Sequence, residues 1–237
     1  MRSDGRKNDQ LRPVKITPGY LVAPAGSCLV EFGKTRVVCS AILEETVPPF
    51  LKGSGKGWLT AEYSMIPGSS AQRVQRERFK VGGRTHEIQR LIGRSLRNCI
   101  DLNLLGERSL LVDCDVIDAD GGTRTAAITG AYVAVALAVR KLSPKFPSLN
   151  SALKGGVAAV SVGIVNRAAV LDLHFEDDRQ AEVDMNVVKT TADKYVEIQG
   201  TAELIAFDRN QLNELLALAD KGIQELFQVQ RKVLENL

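Results

Sequence analysis

Residues 110–139 read LLVDCDVIDADGGTRTAAITGAYVAVALAV, and three textures follow one another in them. First comes an apolar run of strand length. Asp113 and Asp115 share one face of that strand, and burial there would demand partners for both. Last comes a long run of small apolar residues that reads as a buried helix over 125–141, with Pro144 and Pro147 at or just past its end. Between the two lie Gly121, Gly122, Thr123, Arg124 and Thr125. An arginine at the mouth of a buried helix needs a partner.

The flanking sequence extends this strand–turn–helix unit on both sides. Upstream, SCLVEF, GKT and RVVCSAIL predict a hairpin, and WLTAEYSM predicts a further strand. PPFLKGSGKG is a loop, and residues 67–83 are polar without a clean period. From Thr85 the period changes, with Ile88, Leu91, Ile92 and Leu96 at helical spacing. Downstream, GGVAAVSVGIV, RAAVLDLHF, AEVDMNVVKT and KYVEIQG predict four more strands. Residues 210–237 predict one long amphipathic helix that carries Gly222 at some cost in propensity. Residues 1–13 are polar and are expected to be a loose arm. The order is strands, helix, strand, helix, strands, helix. That is not a doubly wound alternation; it predicts an α+β fold of mixed sheets with helices packed on their faces. No linker rich in Pro, Gly or Ser divides the chain, so residues 1–237 are expected to form a single domain.

Composition excludes disordered and fibrous classes, since 44% of the 237 residues are hydrophobic and 25% charged. A net charge of +3 does not by itself argue for nucleic acid. Cys28, Cys39, Cys99 and Cys114 form no CxxC and read as buried free thiols of a reducing compartment. The N-terminal residues lack the apolar core of a signal peptide, and the apolar run 131–139 is too short to span a bilayer. A cytoplasmic protein with no membrane partner is the expectation.

Two glycine–arginine corners stand out. Gly82, Gly83, Arg84 and Thr85 open one helix as Gly121, Gly122, Thr123, Arg124 and Thr125 open the other. Helix N-termini carry unpaired amides and favour anions, glycines allow close approach, and arginine grips two oxygens at once. The plain alternative is a turn with an N-cap, Arg124 pairing with Asp118 or Asp120. No GxxxxGK[ST] is present, and GSGKG near Gly53 lacks that spacing.

Arg73, Arg76, Arg78, Lys80, Arg84, Arg90, Arg94 and Arg97 face only Glu77 and Glu87 in the same stretch, a local excess of +6. Such a field attracts polyanions. Arg73 and Arg76 are the better RNA candidates, while Arg90, Arg94 and Arg97 share a helix face that would also suit an interface. Phe50, Tyr63 and Phe79 are the nearby aromatics for base stacking. A second, acidic cluster runs from 172 to 184: Asp172, Glu176, Asp177, Asp178, Glu182 and Asp184. Strand alternation sets Glu182, Asp184 and Asn186 opposite Val183, Met185 and Val187, and a loop carboxylate such as Asp178 reaches the same place. Paired carboxylates suit Mg²⁺, and a carboxylic acid of raised pKa suits protonation of a leaving oxygen. A solvated turn beside a charged strand face is the plain alternative. His86 and His174 are too few for zinc and read as surface or capping residues. A phosphate-handling enzyme acting on a polyanion fits these features, and a non-catalytic RNA-binding subunit fits them nearly as well.

Beyond single motifs, MRSDGRKNDQLRPVKI, VPPFLKGSGKGWLTAEYSM, GGRTHEIQRLIGRSLR, LLVDCDVIDADGGTRTAAITGAY, AAVSVGI, AEVDMNVV and IQGTAE, in this order, resemble the ribonuclease PH family over nearly the whole chain. The resemblance implies a phosphate-dependent 3′→5′ exoribonuclease that trims tRNA precursors and other RNA 3′ ends, releases nucleoside diphosphates and adds nucleotides in reverse. It implies the fold of phosphorolytic exosome-type nucleases, related to a domain of ribosomal protein S5, and a homo-oligomer, a hexamer built as a trimer of dimers. It implies inorganic phosphate as co-substrate and Mg²⁺ as cofactor. On this resemblance Arg124, with Thr123, Thr125 and Arg84, binds phosphate; Asp178 and Asp184 bind the metal and serve catalysis; Arg73 and Arg76 guide RNA. Gly68 stands where the family usually has an arginine after its proline, the stretch leading to Gly82, Gly83 and Arg84 is slightly short, and Arg179 follows Asp178 in place of a serine. These departures bear on how the body of the RNA is held. A hydrolytic nuclease would differ in working without phosphate and releasing monophosphates.

Overall fold

The hairpin forms around Gly33, whose φ of +56° is the left-handed conformation that a tight turn requires. In the computed structural model, which describes residues 2–77, 80–203 and 205–235, the hairpin strands are β2 (Gly26–Phe32) and β3 (Thr35–Glu44). They join β1 (Val14–Pro18), β4 (Trp58–Met65) and β5 (Ser109–Asp118) in a five-stranded sheet of order β1-β2-β3-β5-β4. Only β4 and β5 run parallel, and helix α1 (Gly83–Arg97) is their crossover. A second sheet of order β7-β6-β8-β9 is antiparallel throughout: β6 (Val157–Val165), β7 (Ala168–Leu171), β8 (Val183–Thr190) and β9 (Tyr195–Ala202). The mixed α+β architecture is the one the sequence predicted.

Helix α3 (Thr123–Leu142) lies between the sheets, against β2 and β3 on one side and β6 on another. That position explains its missing polar face, since a helix apolar all round has to be buried all round. By length and composition alone it passes for a membrane span, longer than the apolar run 131–139 suggested, yet 78% of that window is inside the protein. Close approach to the sheet needs Gly130, where a Cβ would lie 2.5 Å from Val30 Cγ1. Helix α2 (Leu102–Leu105) is a single capped turn after α1. The last helix, α5 (Arg209–Glu235), covers β6 and β7 and reaches β1 and β8. One continuous apolar core draws residues from both sheets and from α1, α3 and α5. Cys28, Cys39 and Cys114 are register partners on three adjacent strands within it, all buried.

Two expectations are corrected. The N-terminal arm is not loose: Arg2, Arg6 and Arg12 are buried, and their guanidinium groups pair with Asp177, Asp4 and Asp172. Polarity misled because each arginine also meets a carboxylate far along the chain, Asp177 for Arg2 and Asp172 for Arg6 and Arg12. The acidic stretch after β7 is not a loop: Phe175–Gln180 forms a short helix, α4. Glu176, Asp177 and Asp178 occupy its first turn, where acidic side chains favour the helix dipole. His174 is its N-cap residue, in line with the capping reading. Arg78 and Phe79 lie outside the described residues.

Candidate active site

Both glycine–arginine corners open helices as expected, and neither helix has a side-chain cap. Gly82 is the N-cap of α1; Gly122, with φ +64°, is the N-cap of α3. Their first amides therefore keep their hydrogen-bonding capacity. Both corners reach one cavity of about 720 Å³, lined by Arg84, Gly122, Thr123 and Arg124 on one side and by Asp178 and Asp184 on the other. The arginines come from the first half of the chain and the carboxylates from the second. Ser70, from the loop after β4, also lines it.

Arg124 is aimed rather than free. Its Nη1 donates to Gln199 Oε1 at 2.9 Å and lies 3.9 Å from Glu87 Oε1. Gln199 in turn donates to Glu87, which ties β9 to α1 across the guanidinium. Thr123 is held by Tyr63, hydroxyl to hydroxyl at 2.8 Å. Thr125 does not line the cavity: it is buried and its hydroxyl donates to the Gly122 carbonyl at 2.9 Å, so its side chain shapes the turn and is not offered to an anion.

Asp184 projects from β8 and Asp178 from α4. Burial, then repulsion from Asp178 and Glu203, pushes the Asp184 carboxyl up to about 6, against the pull of Arg124 and Arg84. Asp178 lines the cavity and is exposed to solvent; the protein packed around its carboxyl raises its pKa, and Arg84 and Arg124 oppose the rise. Like charges this close favour a shared cation or a shared proton. Among the described residues no three His, Cys, Asp or Glu side chains form a metal cluster. A carboxylate pair nonetheless suits Mg²⁺, which keeps waters and shares substrate phosphates.

The remaining basic residues divide. Arg73 and Arg76 are exposed in the irregular loop before α1 and do not line the cavity. Arg94 pairs with Glu197 at 2.7 Å, while Arg97 donates to the Leu59 carbonyl and stacks 4.8 Å above Trp58. Arg94 thus ties α1 to β9 at the surface, and Arg97 packs partly buried against β4. Asp113 finds a partner in Ser40, whose hydroxyl donates to it at 3.2 Å, and Asp115 is exposed. Tyr63 is buried and Phe50 packs edge-on to Trp58, so neither offers a ring to this cavity; among the described residues the exposed aromatic that lines it is Phe175, which the sequence reading missed. Gln199 and Glu87 were missed as well, and only the segment IQGTAE pointed toward the first.

The 3′ exoribonuclease family model matches in two parts, domain 1 over residues 10–141 and domain 2 over residues 155–222. The chain belongs to the 3′ exoribonuclease family. The chain is 54% identical to ribonuclease PH of Solibacter usitatus over 238 residues, covering 100% of both chains. It is 54% identical to ribonuclease PH of Syntrophomonas wolfei, covering 98% of each, and 56% identical to that of Corynebacterium efficiens, covering 98% of this chain and 96% of the relative. Its fold is similar to rice Rrp46, with a TM-score of 0.81 at 17% identity, over 99% of this chain and 100% of that one. It is also similar to a chain of the Archaeoglobus fulgidus exosome with RNA bound to the active site, with a TM-score of 0.80 at 22% identity, over 96% and 91%. As a member of the 3′ exoribonuclease family the chain is a phosphorolytic 3′→5′ exoribonuclease of tRNA processing, a tRNA nucleotidyltransferase that uses phosphate as substrate. The two matched parts meet at the cavity, the first bringing the arginines and the second the carboxylates.

Proposed function

We propose that Arg124 and the amides at the start of α3 hold the attacking phosphate, with Thr123 and Arg84 beside them. The observation that carries this reading is the meeting of Arg124 with Asp178 and Asp184 in one cavity. An oxygen of hydrogen phosphate forms a bond to the phosphorus of the last diester, the bond to the neighbouring 3′ oxygen breaks, that oxygen takes up the proton the attacking phosphate loses, and a nucleoside diphosphate leaves. The guanidinium offsets the charge of one phosphate as it approaches another, and the protein dipoles are oriented before the reaction begins. Asp178 and Asp184 would hold Mg²⁺. When bound, Mg²⁺ neutralises charge on the scissile group and on the departing 3′ oxygen. The raised carboxyl of Asp184 supports this assignment, because burial and then Asp178 disfavour its charge and a bound cation offsets both.

Arg73 and Arg76 draw the RNA strand toward the cavity by its phosphates, a grip that tolerates any base sequence. The substrates are the 3′ ends of tRNA precursors and other RNAs, the working form is a homo-oligomer assembled as a hexameric trimer of dimers, and the compartment is the cytoplasm. Similarity to chains of archaeal exosomes supports an assembled form.

The test incubates the protein with a 3′-extended RNA and Mg²⁺, with and without phosphate, and identifies the released nucleotide. Nucleoside diphosphates that appear only with phosphate are expected. Monophosphates released without phosphate would overturn the reading. Arg124→Ala should raise the phosphate KM at least about tenfold or abolish turnover, by loss of a charge-assisted grip.

A further inference from the structure

Three arginines of the N-terminal arm are buried, a costly arrangement for a segment that sequence alone would leave in solvent. Each spends its hydrogen bonds differently. Arg12 uses Nε and Nη2 to grip both oxygens of Asp172, at 2.9 and 2.7 Å. Its Nη1 donates to the carbonyl of Asp120 at 2.5 Å and reaches that of Gly121 at 3.4 Å. Thr35 completes this hold, its hydroxyl donating to Gly121 O at 2.7 Å and accepting from Asp120 N–H at 2.9 Å. These carbonyls belong to the turn that starts α3.

Arg2 turns the other way. Its guanidinium donates to the carbonyls of Leu171 and Asp172 at 2.7 and 2.8 Å and to Asp177 Oδ2 at 3.0 Å. Asp177 precedes Asp178 on α4, and Ser3 bonds the His174 ring at the start of that helix at 2.9 Å. Arg6 sits in the same cluster, on Asp172, Asp4 and the Gln10 carbonyl, and touches neither wall of the cavity. Asp172, the hub, is fully buried and held at φ +56°. A non-glycine residue persists there only when its surroundings over-determine it.

We propose that the N-terminal arm is a two-jawed clamp on the reaction cavity, Arg12 positioning the turn that presents Arg124 and Arg2 positioning the helix that presents Asp178. The proposal rests on the assignment of phosphate to Arg124 and of catalysis to Asp178. Arg2 and Arg12 are positioning residues: neither lines the cavity. The jaws act on different steps, so their loss has different kinetic signatures.

The test compares Arg2→Lys, Arg6→Lys and Arg12→Lys in the full chain, substitutions that keep a charge in the cluster and remove the planar fork. Urea unfolding reports stability, steady-state kinetics report kcat and the KM for phosphate, and equilibrium dialysis with inorganic phosphate reports binding without turnover. Arg12→Lys should raise both the phosphate KM and its dissociation constant about tenfold, as small misplacements of positioned groups do. Arg2→Lys should lower kcat about tenfold and leave phosphate binding within about twofold, because the anion site is intact. Arg6→Lys should lose stability with both constants unchanged. If all three variants, once folded, moved kcat and phosphate binding together or moved neither, the clamp would be overturned while wild-type phosphorolysis stood. Wild-type cleavage independent of phosphate would instead overturn the assignment of the site, and the clamp with it.

Discussion

The Asp184 carboxyl is pushed from 3.8 up to about 6, first by burial and then by Asp178. A carboxyl whose pKa is higher folded than unfolded binds more protons in the folded state, so its contribution to stability falls as pH rises from about 4 to about 6 and stays lost above. Each tenfold change in proton affinity is worth about 1.4 kcal/mol, so Asp184→Asn should stabilise the metal-free chain at about pH 8 by on the order of 3 kcal/mol. The gain should shrink as pH is lowered through 6, as urea melts across that range will show. The same variant should bind RNA and lose phosphorolysis; a fully active Asp184→Asn and a fully active Asp178→Asn would remove the carboxylates from the mechanism. Legibility at this scale was uneven. Arg124, Arg84, Asp178 and Asp184 stand in motifs distinctive enough to find. Gln199, Glu87 and Phe175 are common residue types whose meaning comes only from what the fold sets beside them.

Among the elements, α3 was the most legible, because a run with no polar face has one physical solution, burial on all sides. Its contact with the sheet is correspondingly unforgiving. Gly130→Ala would set a Cβ 2.5 Å from Val30 Cγ1 and 2.9 Å from Cys39 Sγ. Overpacking of about 1–3 kcal/mol outweighs the roughly 1 kcal/mol of helix propensity that alanine adds, so the midpoint of unfolding should fall. Helix α4 was the least legible. Its six residues are too few for a period, and its signal is three acids in a first turn, which equally describes a solvated loop. A different element contact makes an alkaline prediction. Lys189 on β8 is buried and bonds Asp193 and Asp220 at 2.6 Å each, the latter on α5. Burial lowers its pKa, but the two carboxylates outweigh that and hold it above 10.5. Its stabilisation is complete below 10.5 and is lost as pH rises through the higher folded value. Lys189→Met should flatten the stability loss seen in that alkaline range.

Across the whole molecule, the sequence carried the class and order of elements but not the seam. Periodicity reports one element at a time. Nothing local says that the starts of α1 and α3 meet α4 and β8 at one cavity, or that residues 2–12 are tied to residues 171–177. With one apolar core across both sheets, we expect a single cooperative thermal transition whose calorimetric and van't Hoff enthalpies agree. RNA binding should weaken with salt, and removing Arg73 and Arg76 together should reduce the slope of log K against log salt by about 1.4, near 0.7 for each phosphate contact. An unchanged slope would take both residues off the RNA path. The cysteines described above have a further use. The neighbouring Cys114 and Cys28 thiols, and then burial, raise the Cys39 thiol well above its ordinary value, and all four side chains are shielded from solvent in the folded chain. Thiolate, not thiol, reacts with disulfide reagents. The core is thus a clock for its own opening: at low reagent the labelling rate measures the free energy of exposure, and at high reagent it saturates at the opening rate itself.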